Sequence, residues 1–159
     1  MASRVSNRKK ARPQPSSRAR PPTHEQASGT DLAAYCPHLC EWPRSWRYEE
    51  RDVLSGQQIV DCFEPFLRHL LGSDLSQKTL RKHRDNLWML GGEIISGLYR
   101  DPELREQPIE NVIFAALDEE GGPVLFRHRS EDQRSFDSTC RKFLRFLKDA
   151  KKSQGQPAR

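Results

Sequence analysis

Apolar side chains return at helical intervals in three long stretches, and that period restricts the chain to a helical architecture before any other property is considered. Ile59, Phe63, Phe66, Leu67 and Leu70 fall at i, i+4, i+7, i+8 and i+11, one face of a helix that turns about 100° per residue. Leu80, Leu87, Ile94 and Leu98, edged by Leu90 and Ile95, repeat the pattern, and so do Phe136, Cys140, Phe143, Leu144 and Leu147. Ile109, Val112, Ile113, Ala116 and Leu117 add a shorter stripe before Gly121-Gly122-Pro123 stops it. The expected fold is all-α: a compact bundle of four to five helices over residues 31–150, with a disordered basic arm at 1–30 and a short disordered basic tail at 151–159.

Local signals set the expected boundaries. Ser55 and Gln58 have the spacing of a capping box, with Leu54 stapled to Ile59. Pro65 lies inside the stripe that follows; lacking an N–H and crowding the preceding turn, it is expected to kink the helix or open a new one. Ser76 suits an N-cap with Leu75 and Leu80 as its staple, and Ser130 with Gln133 suits a second capping box. Gly91-Gly92 would cost about 2 kcal/mol in a helix relative to two alanines. The apolar period keeps its phase across that pair, so a continuous or kinked helix is expected, with close packing as the reason for glycine. Val124-Leu125-Phe126 reads as a loop or an isolated strand.

Charge is unevenly distributed. The formal charge is +5, from 27 basic and 22 acidic side chains, but residues 1–22 alone hold seven basic side chains and no acid. Without those residues and without 148–159, 16 basic face 21 acidic side chains, a body of −5. A basic arm pairs with phosphates through Coulomb attraction and counterion release, which makes Arg8, Lys9, Lys10 and Arg12 candidate contacts. Within the body, two clusters stand out: Lys78, Arg81 and Lys82 opposite the Leu80 stripe, and Arg141, Arg145 and Lys148 (with Arg134 and Lys152) along the last helix.

Other chemistries find little support. Cys36, His38 and Cys40 sit close together, but a closed zinc site needs four ligands and no second pair follows, so no metal or other cofactor is expected. Cysteine on apolar helical faces acts as a small hydrophobe, the plain reading for Cys62 and Cys140 in a reducing, cytoplasmic setting. There is no G-x-x-x-x-G-K, H-E-x-x-H or G-x-S-x-G, and neither Glu93 nor Glu110 is marked as half of an acid–base pair. His69 and His83 lie near apolar stripes, where packing is the expected role, and no enzyme activity is expected. No signal-peptide h-region precedes the body, and the longest apolar run, residues 112–117, is far below the ~20 residues that cross a membrane.

Leu75-Ser76-x-Lys78-Thr79-Leu80-Arg81-x-His83 resembles the start of a helix in the core-binding domain of phage-type integrases (tyrosine recombinases). That likeness spans at most residues 55–147. It implies a small bundle of about four helices clamping one side of duplex DNA, with Lys78, Thr79, Arg81 and Lys82 on the DNA side. The family's catalytic Arg, His-x-x-Arg and Tyr set has no counterpart, so the resemblance implies binding without recombination. The chain also resembles small proteins of bacterial mobile elements in its general make-up.

Two functions therefore compete. One is a non-catalytic nucleic-acid-binding module, DNA favoured over RNA, acting through Arg8, Lys9, Lys10, Arg12, Lys78, Thr79, Arg81, Lys82, Arg141, Arg145 and Lys148. The other is a helical adaptor or a subunit of a larger assembly, with Trp42 and Trp46 as partner anchors unless the core consumes them.

Overall fold

The computed structural model describes residues 32–126 and 128–155. The arm residues Arg8, Lys9, Lys10 and Arg12 lie outside the described residues, as do 127 and 156–159. After a helical turn at 32–35, the chain forms α1 (Trp42–Trp46), α2 (Asp52–Leu71), α3 (Gln77–Arg100), α4 (Ile109–Ala115) and α5 (Ser130–Gln154). Short 3-10 turns at Leu39–Glu41 and Pro102–Glu106 complete an all-α bundle, with no strand among the described residues. Residues 124–126 form a loop. α5 runs past residue 150 to Gln154, so the expected boundary of the tail falls inside a helix.

Each long helix buries the stripe that its sequence spells out. Ile59, Phe63, Phe66 and Leu67 of α2, Leu87, Leu90, Ile95 and Leu98 of α3, and Phe136 and Phe143 of α5 are all essentially inaccessible. The aromatic rings meet at the centre: Phe143 lies 5.3 Å from Phe63 and 5.0 Å from Phe66, centroid to centroid, within the range of favourable ring pairs.

α2 begins earlier than the Ser55 capping box implies. Leu54 is 69% exposed, so it does not staple the helix. The start is set by Asp52, whose buried carboxylate accepts the amides of Tyr48 (2.9 Å) and Glu49 (2.8 Å) and a guanidinium bond from Arg105. A local box lost to a partner 53 residues away. Burial alone would raise the pKa of Asp52; the two amides and Arg105 outweigh it and hold the carboxyl below its ordinary value.

Pro65 neither breaks nor restarts α2, which is continuous from Asp52 to Leu71. It lies on the exposed side, where the carbonyl it leaves unbonded can turn to water. The second capping box also fails: Ser130 makes no cap bond, and Gln133 instead bonds the backbone of Leu125 and Pro123 and the carboxylate of Asp137. Gln133 thereby holds the preceding loop down.

Gly91-Gly92 is helical, and close packing explains the first glycine. The Trp46 indole lies where a Cβ on Gly91 would be, 2.2 Å from its nearest ring carbon, and its Nε1–H donates to the Trp88 carbonyl at 2.9 Å. The neighbour is a side chain of α1 and not a second backbone. Trp46 in turn packs edge-on against Phe63 and tilts against Trp42, which joins α1 to the core.

Candidate functional site

The start of α3 carries the cluster Lys78, Arg81 and Lys82. Ser76 caps the helix as its sequence implies: its Oγ accepts the Thr79 amide at 3.2 Å and lies 2.9 Å from the Thr79 hydroxyl. Thr79 is therefore engaged in the cap. With Leu80 and Leu87 turned into the core, Lys78, Arg81 and Lys82 are exposed, and none forms an ion pair among the described residues. The first turn of α3 contains no acid to offset the positive end of the helix dipole. These cations add to that positive field, so the arrangement favours an anion from outside. Arg84 is different: it pairs with Asp85 and donates to the Tyr35 carbonyl at 3.1 Å. Together with the Tyr35 hydroxyl, which donates to the Leu80 carbonyl, it ties the 32–36 segment to α3.

Beneath the cluster, α3 and α5 are joined by a buried polar network. His83 Nδ1 lies 2.8 Å from Thr139 Oγ1, and Asn86 Nδ2 donates to Thr139 Oγ1 (2.9 Å) and to the carbonyl of Ser135 (3.0 Å). Numbers rise along α3 as they fall along α5, so the two helices run antiparallel at this contact. Burial, and then the charge of Lys142, hold the pKa of His83 below the ordinary histidine value. Lys142 of α5 thus lies near His83, a neighbour the sequence stripe did not single out. Only the pairing of His83 with Thr139 reveals it.

The other cationic stripe lies elsewhere. Thr139 and Arg141 are two residues apart, about 200° around α5, so Arg141 projects away from α3. Arg141 donates to the Glu120 carbonyl at 2.7 Å, and Lys148 Nζ is 3.3 Å from Glu119. With Arg145 and Leu144 they line a groove of about 350 Å³. Two of its three cations are thus tied to the acidic 118–120 loop, and the structure does not bring this stripe together with Lys78, Arg81 and Lys82.

Trp42 and Trp46 are buried. The core consumes them, so they are not free to anchor a partner. The exposed aromatic residues among those described are others: Phe126, Trp88, Tyr48 and Tyr99, the last two stacked at 4.7 Å. Exposure of Trp88 was not legible from its position beside the α3 stripe.

Cys36 is buried and its thiol is pushed up to about 12; Cys140 is likewise raised to about 12 and Cys62 to about 11, each chiefly by burial. Cys40 is exposed, and His38 faces Glu41 at 3.4 Å. No group of three or more His, Cys, Asp or Glu side chains among the described residues is arranged to hold a metal ion. No helix among them is long and apolar enough to cross a membrane. No protein-family model, curated protein or solved structure matches the chain. What stands on geometry is an all-α bundle with a cationic spot at one helix start that forms no ion pair among the described residues.

Proposed function

We propose that the protein is a non-catalytic nucleic-acid-binding module of the cytoplasm, with DNA preferred over RNA, whose body contacts phosphates through Lys78, Arg81 and Lys82. The observation that carries this reading is the charge pattern at the start of α3. Three exposed cations with no ion-pair partner among the described residues sit on the positive end of a helix in an otherwise acidic body. The basic arm, with Arg8, Lys9, Lys10 and Arg12, supplies further non-specific attraction. Arg141, Arg145 and Lys148 are secondary contacts, because Glu119 and the Glu120 carbonyl already hold two of them. The resemblance to the core-binding domain of phage-type integrases points the same way, and suits an origin in a bacterial mobile element. Binding is measured with duplex DNA, single strands and RNA at low salt, using wild type and Lys78→Ser/Arg81→Ser/Lys82→Ser. The triple variant loses most of the body's contribution; equal binding by both proteins, or none by either, rejects the reading.

A helical adaptor is the second reading, supported by the exposed aromatic side chains Trp88, Tyr48 and Tyr99 in place of the buried Trp42 and Trp46.

A further inference from the structure

An aromatic patch stands apart from the core and from the cationic spot. Tyr48 (59% exposed) stacks on Tyr99 (47% exposed), and Trp88 is 43% exposed, its Nε1–H fixed by a 3.0 Å bond to Ser45 Oγ. Tyr48 and Trp88 line a groove of about 420 Å³ between the end of α1, the middle of α3 and the loop before α5, floored by Met89 and Gly92 and edged by Glu93. Flat aromatic faces already held in place are the chemistry that receives proline rings, because a proline-rich segment arrives with little conformational entropy left to lose. Aromatic faces also receive guanidinium groups, which Glu93 in the groove would complement. Arg47 is the opposing charge at the rim, and its guanidinium donates to the Arg44 carbonyl at 3.0 Å.

The chain contains a segment of that chemistry. Residues 12–22, RPQPSSRARPP, hold four prolines and three arginines and no acid. Its point of attachment is close to the groove. The 32–36 segment is tied to α3 at Leu80 and Arg84, and the groove begins at Trp88 and runs to Ser96. That is four to twelve helical residues from Arg84, roughly 6–18 Å at 1.5 Å per residue. Ten residues separate 22 from 32, and an extended proline-type chain covers roughly 31 Å over that length at 3.1 Å per residue. The tether reaches with length to spare.

We propose that this aromatic groove is the docking site for the chain's own Arg- and Pro-rich segment, residues 12–22. Prolines lie against Tyr48 and Trp88, and an arginine faces Glu93. Docking engages Arg12, which would otherwise meet phosphates, so that part of the arm is held in reserve until an anion competes for it. The groove and its occupant do not depend on nucleic-acid binding, and the test uses none.

The test is NMR of the ¹⁵N-labelled full chain, following the Trp88 indole N–H and the backbone amides of 45–48 and 92–96. Two variants alter only the arm, so folding of the body is not at issue: Pro13→Ser/Pro15→Ser/Pro21→Ser/Pro22→Ser, and Arg12→Ser/Arg18→Ser/Arg20→Ser. Docking shifts the groove resonances in both variants relative to wild type, while the rest of the body is unmoved, and tenfold dilution of wild type changes nothing. Groove resonances that superimpose in all three proteins overturn the proposal. Groove shifts that disappear on dilution assign the occupant to a second copy and overturn docking within the chain.

Discussion

Trp46 covers Gly91 so closely that no side chain fits between them: a Cβ on Gly91 would lie 2.2 Å from the indole ring. The ring cannot easily withdraw, because it is buried, bonded to the Trp88 carbonyl and packed on Phe63. Gly91→Ala therefore forces the α1–α3 contact apart and destabilises the protein by about 1–3 kcal/mol, more than the ~1 kcal/mol that alanine gains in a helix interior. Gly92→Ala meets Trp46 at 3.4 Å, an ordinary contact, and Gly97→Ala meets nothing within 4 Å. Both should be neutral or stabilising by up to ~1 kcal/mol. Denaturant unfolding of the three variants checks the order, and a Gly91→Ala as stable as Gly97→Ala contradicts it.

Arg105 and Asp52 form an ion pair in which the carboxylate is fully buried. Arg105→Ala leaves that charge without its main partner, and a loss of about 3–5 kcal/mol is expected. Because the folded pKa of Asp52 lies below its unfolded value of 3.8, the pair's contribution is complete above that pH. It is lost as pH falls from about 4 through the folded value. Unfolding curves at pH 7 and pH 3 should show a smaller gap between wild type and Arg105→Ala at the lower pH.

His83 supplies a second pH dependence with the same sign. Its folded pKa is depressed below 6.5 by burial and Lys142, so the folded state binds fewer protons than the unfolded one below that value. Stability is complete above pH 6.5 and falls as pH drops through the folded pKa. His83→Gln keeps a polar partner near Thr139 but does not titrate, so it should flatten the stability profile below pH 6.5. An unchanged profile would show that folding does not shift the His83 pKa.

The bundle was largely legible from the sequence, and the reason is local. The apolar periods of α2, α3 and α5 and the Ser76 cap act within a few residues, so Leu87, Phe63 and Phe143 go where periodicity sends them. What was hidden depends on partners far along the chain. Asp52 displaces the Ser55 box only because Arg105 arrives from the Pro102–Glu106 turn, and Gly91 is required only because Trp46 lies over it. The candidate site divides the same way. Exposure of Lys78, Arg81 and Lys82 follows from the α3 stripe, whereas the separation of Arg141 from them follows from the register of α5 against α3.

The cationic start of α3 makes opposite demands on stability and binding, which separates a functional role from a structural one. Lys78 faces the positive end of the helix dipole, so Lys78→Glu should raise stability, by about 0.5 kcal/mol, while weakening anion binding. A variant that loses both would be ordinary structural damage.

The most direct measurement is the slope of log K for duplex DNA against log salt concentration, for wild type and for Lys78→Ser/Arg81→Ser/Lys82→Ser. Each phosphate neutralised contributes about 0.9 to the slope, so the triple variant should be shallower by about 2–3 and weaker at every salt concentration. A slope unchanged by the substitutions, or binding that does not respond to salt, contradicts phosphate contact at the start of α3.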